Sequence, residues 1–310
     1  MENRIIDPID KHILKTELTE KTFVRKTNFG ENEIYIVSNY NAPNTIREIG
    51  RLREITFRTA GGGTGQELDL DEFDISETPY QQLIVWNPVD EEIVGGYRFI
   101  KCKEAIGESG TINLATTELF DFNQDFITNY LPTTIELGRS FVQPNYQPSQ
   151  ENRKGLFSLD NLWDGLGALI VDNQDIDYFF GKVTMYTDFN REARDMILYF
   201  MHHYFPDKEN LMTAKFPIEI GIPNESFIAT LKNCNYKEGH KHLNQQVRAR
   251  GENIPPLINS YMNLSPSMKT FGTCNNEHFG DVEETGILVR IKDIYPEKTE
   301  RHVSSYKKKQ

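Results

Sequence analysis

Apolar and polar positions along this chain repeat with two different periods, and the change from one to the other marks out the elements. Alternating or continuous apolar runs at residues 33–38 (EIYIVS), 81–87, 93–101 and 177–186 (DYFFGKVTMY) predict strands. Residues 10–20 read as a short helix. Apolar positions Ile46, Ile49, Leu52, Ile55 and Phe57 recur mostly at helical spacing behind Thr45, which predicts a helix capped by that threonine. Residues 159–171 read as another helix, with Ser158 or Asp160 available as its cap, and 191–204 as an amphipathic one. The middle of the chain is thus strand–strand–strand–helix–strand–helix, an α/β (α+β) mixture with an antiparallel beginning. From Pro206 onward prolines punctuate a loop-rich third, which is expected to pack on the α/β core, and 286–291 can return as a strand.

One strand breaks its own pattern. The run from Thr134 to Pro144 is a β-type stretch whose apolar pattern is interrupted by Glu136, Gly138 and Arg139. A carboxylate and a guanidinium are costly to bury and persist in such a place only if paired or used. The glycine between them suggests a bulge or a close backbone approach, which would expose strand amides to a ligand. Two other segments carry candidate chemistry. The glycine-rich stretch 61–65 follows a helix and lacks a Lys-Ser/Thr ending, so it reads as a mobile lid or linker and not as a phosphate loop. The acidic run Glu67, Asp69, Asp71, Glu72, Asp74 lacks the spacing of a calcium loop. It is either a solvated loop or the partner of the arginines in apolar contexts, Arg53, Arg98 and Arg139.

Charge and cysteine content narrow the classes. Acidic residues number 46 against 34 basic ones, a net charge of −12, which argues against a general nucleic-acid binder. Mean hydropathy is −0.56, and 38% of residues are hydrophobic, ordinary for a globular protein of 310 residues. Cys102, Cys234 and Cys274 are far apart, with no CxxC, which fits a reducing compartment and no structural zinc; no metal is expected. Neither a signal core nor an apolar run of membrane-spanning length is visible, so a cytoplasmic protein is expected. The basic end (Lys298, Arg301, Lys307, Lys308, Lys309) reads as a frayed, solvated tail, with weak attraction to an anionic membrane as the alternative.

In order, Leu52-Arg53-x-x-x-Phe57, Glu67-x-Asp69-x-Asp71-x-x-Asp74, Leu83-Ile-Val85, Val94-Gly-Gly-Tyr-Arg-Phe99 and Glu136-Leu-Gly-Arg-Ser140 resemble the N-acyltransferases that begin ornithine-lipid and glycine-lipid synthesis. Those enzymes are GNAT-like, and some are catalogued as hemolysins. The likeness continues through Leu162-Trp-Asp-Gly-Leu166, Tyr178-Phe-Phe-Gly-Lys-Val183, 255–262 and 279–289, and so covers residues 45–292. More distantly, the same series is similar to acyl-homoserine-lactone autoinducer synthases. The resemblance implies a GNAT-like fold, a central mixed and mostly antiparallel sheet flanked by helices. It divides the chain into an N-terminal extension (1–44), the domain at 45–292 with an embellishment from about 206, and a basic tail (293–310).

For chemistry, the resemblance implies a 3-hydroxyacyl thioester of acyl carrier protein as donor, no bound cofactor, and a free amino acid as acceptor. Glu136 is then the acid/base candidate, directly or through a water, with Arg139 beside it. Arg139, Arg53 and Arg98 either hold the acidic cluster or bind the acceptor carboxylate. Asp71 and Asp74 match the autoinducer synthases' acidic pair, Phe57 falls in the same series, and backbone near Gly138, Ser140 and Phe141 faces the thioester. Phe141 stands where ornithine-type enzymes commonly carry cysteine, so that cysteine is not needed as a nucleophile. The glycine-rich loop replaces a tryptophan of the autoinducer synthases, which argues against lactone formation, and no HxxxxD motif follows, so a lyso product is expected. Glycine is favoured over ornithine because no extra carboxylate is evident for a second ammonium. The alternatives are an acetyl-CoA-dependent acetyltransferase and a non-catalytic hemolysin-like protein. Trp163, Leu166, Leu169 and Ile170 with Tyr178, Phe179 and Phe180 read as core or as the lining of an acyl tunnel. An acidic carrier protein would need a local basic patch on this acidic chain, for which Lys237, Lys241, Arg248 and Arg250 are favoured over Arg191 and Arg194 and over the Lys-rich tail. A peripheral contact with the inner membrane face is the remaining expectation.

Overall fold

The computed structural model describes residues 2–147 and 154–308. Ten strands form in chain order: β1 (Phe23–Lys26), β2 (Glu33–Val37), β3 (Gln81–Asn87), β4 (Glu92–Lys101), β5 (Phe120–Phe122), β6 (Thr134–Val142), β7 (Tyr178–Met185), β8 (Met212–Ala214), β9 (Lys269–Asn276) and β10 (Val282–Arg290). Eight of them make one sheet in the order β1-β2-β3-β4-β6-β7-β10-β9, and β5 pairs with β8 separately. Every neighbouring pair in the large sheet is antiparallel except β6 and β7. The helices are α1 (Lys11–Glu17), α2 (Pro43–Thr59), α3 (Glu72–Ile75), α4 (Ser158–Asp172), α5 (Arg191–Tyr204), α6 (Glu225–Lys232), α7 (Tyr236–Arg248) and α8 (Pro256–Met262).

Two apolar layers flank the sheet. On one face Leu83, Tyr97, Leu137 and Phe179 pack with Leu162 and Leu166 of α4, Ile197 and Phe200 of α5 and Tyr261 of α8. On the other, Ile84, Trp86 and Phe141 pack with Ile46, Ile49 and Phe57 of α2. Trp163, Ile170 and Tyr178 belong to these layers as partly buried side chains, and Leu166, Leu169, Phe179 and Phe180 are fully buried. No helix among the described residues is long and apolar enough to cross a membrane.

Several expectations are revised by tertiary contacts. The expected N-terminal extension supplies β1 and β2, so it is part of the sheet. Helix α1 is shorter than the expected 10–20 and begins after Asp10, whose side chain accepts from the His12 amide at 2.8 Å. Helix α2 starts two residues before Thr45, because Glu17 at the end of α1 supplies the cap. Its carboxylate accepts from the amides of Asn44 (3.1 Å) and Thr45 (2.7 Å) and from the Thr45 hydroxyl (2.8 Å). Likewise α4 includes Ser158, whose hydroxyl donates to the Tyr146 carbonyl at 2.9 Å instead of capping. The glycine-rich loop is pinned: the buried Glu54 carboxylate accepts from the Thr64 amide (3.0 Å) and hydroxyl (2.8 Å) and from the Gly65 amide (2.8 Å). Its Gly62 lies against Gly280, which turns the chain between β9 and β10 at φ +80°, and a side chain at Gly280 would strike the Gly62 backbone.

The expected frayed tail is docked on α4. His302 is buried, with Nδ1 2.8 Å from Asp164 Oδ1; Arg301 reaches Asp160 at 2.8 Å and Tyr306 reaches Asp172 at 3.2 Å. Lys309 lies outside the described residues. The close approach depends on Gly167, where an added methyl would overlap the His302 carbonyl oxygen. Gly167→Ala should therefore lift the tail and lose about 1–3 kcal/mol of stability. Denaturant unfolding reads the loss, and limited proteolysis should show new cleavage confined to residues 299–308.

Candidate active site

Strand β6 brings the site together because it is irregular in two ways. Its parallel pairing with β7 runs from Thr134↔Tyr178 to Leu137↔Gly181 and then stops, so the strands part beyond Leu137. Its antiparallel register with β4 shifts between Arg98↔Gly138 and Gly96↔Phe141, which places Arg139 and Ser140 opposite Tyr97 alone. That is a bulge, as the sequence suggested, but the left-handed residue is Arg139 (φ 48°) and not Gly138. Gly138, Arg139 and Ser140 on one side and Phe180, Gly181 and Lys182 on the other line the opening, with Tyr97, Leu257 and Tyr261 deeper in. This cleft holds about 30 Å³, room for ordered water between the strands.

A non-Gly residue at positive φ needs external support, and two aspartates and an aromatic ring provide it. Arg139 Nε lies 3.1 Å from Asp69 and Nη2 3.7 Å from Asp71, while its guanidinium stacks 4.0 Å from the centre of the Phe279 ring. Arg53 of α2, with no exposure, reaches Asp69 at 2.9 Å and Asp74 at 3.1 Å. Arg98 of β4 donates to Asp71 at 2.7 Å and lies 3.4 Å from Asp74. Three guanidinium groups thus alternate with three carboxylates. The arginines hold Asp69 and Asp74 below the usual carboxylate range despite a burial that opposes it. Gln82 adds a bond to Asp74 at 2.8 Å.

Glu136, two residues before the strands part, is 2% exposed. Burial pushes its carboxyl up to about 7, against the opposing pull of Arg98, the Thr116 hydroxyl and Lys182. Thr116 Oγ1 donates to it at 3.1 Å, and the Tyr80 hydroxyl, which accepts from the Ala115 amide at 3.0 Å, faces it as well. A carboxyl that titrates near neutrality beside an opening in a sheet can accept a proton from a bound amine.

The structure sorts the candidates from the sequence. Glu136, Gly138, Arg139 and Ser140 converge on or beside the cleft. Arg53, Arg98, Asp71 and Asp74 form the network behind it, and of these only Asp71 keeps appreciable exposure, with 29% of its side chain open. The side chains of Phe57 and Phe141 are buried in the apolar layer under α2, with Phe57 edge-on to Phe279 at 5.1 Å. Sequence reading did not find Thr116, Tyr80, Lys182, Glu284 or Phe279. The Gly-Lys-Val step inside a predicted strand was the available signal for Lys182. Arg194, named as a basic-patch candidate, is buried and paired with Glu283 at 2.5 Å, and Arg250 is paired with Glu192 at 2.9 Å. Lys237, Lys241 and Arg248 remain exposed along α7.

Residues 52–153 match the family described as acetyltransferase (GNAT) domain. Over its whole length the chain is similar to two glycine N(alpha)-acyltransferases. It is 52% identical over 303 residues to that of Bacteroides thetaiotaomicron, spanning 97% of this chain and 90% of the relative. It is also 52% identical over 305 residues to that of Phocaeicola vulgatus, spanning 98% and 94%. The chain belongs to this acyltransferase family. Among solved structures, an N-acyl amino acid synthase from uncultured soil microbes overlaps 53% of this chain and 74% of its own at 15% identity, with a TM-score of 0.32, an overlap too loose to argue from.

Two outcomes follow for this acyltransferase. Arg53→Met leaves Asp69 and Asp74 facing each other with half their counter-charge gone, and should cost about 3–5 kcal/mol in denaturant unfolding. Glu136 contributes in the opposite sense. Native Glu136 keeps its proton up to about pH 7 while the unfolded chain has released its own near 4.5, so stability falls as pH rises through that window. Glu136→Gln should therefore be the more stable protein at pH 8, on the order of 3 kcal/mol. The two should converge below pH 4.5, as melting curves across pH would show.

Proposed function

We propose that this acyltransferase moves a (3-hydroxy)fatty acyl chain from the thioester of acyl carrier protein to the α-amine of glycine, giving a lyso amino-acid lipid. Glu136 carries the reading, as a buried carboxyl raised to about 7 beside the point where β6 and β7 part. Glycine is preferred over ornithine as acceptor because both full-length relatives are named for it.

In the reaction the amine nitrogen attacks the thioester carbonyl carbon. The C–N bond forms, the ammonium proton passes to Glu136, the C–S bond breaks, and the leaving thiolate takes up a proton. Glu136 does not itself line the cleft, so water between the strands relays the proton. Peptide N–H groups of the bulge at 138–140 lie where the parallel ladder has ended, and they are the candidate donors to the developing oxyanion. Arg139, held by Asp69 and Asp71, fixes that bulge. The exposed row Lys237, Lys241 and Arg248 suits docking of an acidic carrier protein. The reading needs no bound cofactor, and lysines of the C-terminal segment are the candidates for contact with an anionic membrane face.

The purified chain should be offered labelled glycine and ornithine together with 3-hydroxyacyl carrier protein, and separately with acetyl-CoA. A glycine conjugate formed from the carrier thioester is expected, with kcat about 10²–10⁴-fold lower in Glu136→Gln. Turnover with acetyl-CoA alone, or an ornithine product, would replace the donor or the acceptor respectively. An undiminished Glu136→Gln would remove Glu136 as the base.

A further inference from the structure

The wall of the cleft opposite Arg139 belongs to β7 and carries Lys182. Its side chain keeps 12% exposure, whereas its ion-pair partner Glu284 on β10 keeps 2%. Glu284 is fixed from other sides too, by Asn276 Nδ2 at 3.1 Å and Thr184 Oγ1 at 3.3 Å. Lys182 is less committed. An ammonium has three N–H donors, and among the described residues Glu284 is the partner recorded for them. The arginines around the site differ, since each is engaged by aspartates and the three-against-three network leaves no surplus cation.

Register puts Lys182 on the working face. Glu136 pairs with Phe180, and strand side chains alternate, so Lys182 projects to the same side as Phe180 and Glu136. Its charge also acts on the Glu136 carboxyl. A zwitterionic α-amino acid carries its carboxylate and its nitrogen on a single carbon. Such an acceptor needs a cation close to the group that takes its proton.

We propose that Lys182 binds the carboxylate of the amino-acid acceptor and so turns the α-nitrogen toward Glu136. This rests on the amino-acid N-acylation reading above. Before the acceptor arrives, Glu284 neutralises Lys182. Once bound, the acceptor's carboxylate meets the lysine and its ammonium meets the acidic side chains, so no buried charge is left alone. The same arrangement rejects amines that lack a carboxylate.

The test compares glycine with glycinamide, which has the amine but not the negative charge, as acceptors with one acyl thioester donor. Wild type should prefer glycine. In Lys182→Met the ratio of kcat/KM for glycine to that for glycinamide should fall at least about 30-fold, the loss expected when one member of a buried charge contact is removed. Lys182→Arg should keep most of the preference. Since Lys182→Met strands Glu284, the double variant Lys182→Met/Glu284→Gln provides the same reading in a protein without the orphaned carboxylate. An unchanged ratio in a folded variant overturns the anchor and leaves the N-acylation reading standing. If wild type acylates no amino acid, that reading falls and the anchor falls with it.

Discussion

The bulge in β6 exists because Arg139 is held in a left-handed conformation by carboxylates that other arginines hold in place. Asp69 sits between Arg53 and Arg139, Asp74 between Arg53 and Arg98, and Asp71 between Arg98 and Arg139. The result is a closed circuit of charges linking helix α2, helix α3 and the segment before it, strand β4 and strand β6. No member can be altered alone without leaving a buried charge uncompensated. The opening between β6 and β7 is thus anchored by residues that do not touch it, with two of the aspartates fully buried.

Glu136 is the counterpart of that circuit. Asp69 and Asp74 are stabilised as anions by guanidinium groups, whereas Glu136, on β6 with Arg139, is pushed up to about 7 by burial. The same fold thus maintains structural carboxylates that never take up a proton near neutral pH and one carboxylate ready to exchange it. Two environments separate the roles of chemically similar groups.

Much of this was legible in the sequence, and the exceptions share a cause. The Glu-Leu-Gly-Arg run was visible as an interrupted strand, and the acidic segment as either a solvated loop or the arginines' partner; the structure selects the second. What sequence could not give was register. Lys182 and Glu284 become neighbours through β7–β10 pairing across about a hundred residues, which no local pattern encodes. Thr45 looked like a cap because capping is usually local, but Glu17 from another helix took that role. Strands β1 and β9 escaped notice because one is four residues long and the other, KTFGTCNN, is mostly small and polar.

The single parallel pair is a seam. Strands β1, β2, β3, β4 and β6 form one antiparallel ribbon, and β7, β10 and β9 form another. Among the described residues, the four rungs from Thr134 to Leu137, with the Asp177 amide donating to the Thr133 carbonyl at 2.8 Å, sew the two ribbons together. A sheet built in this way is continuous within each ribbon and is joined along the seam by this short ladder. The segments after Leu137 and after Gly181, where the seam ends, are the walls of the cleft, so the opening is a feature of the sheet itself, lined from α8 by Leu257 and Tyr261.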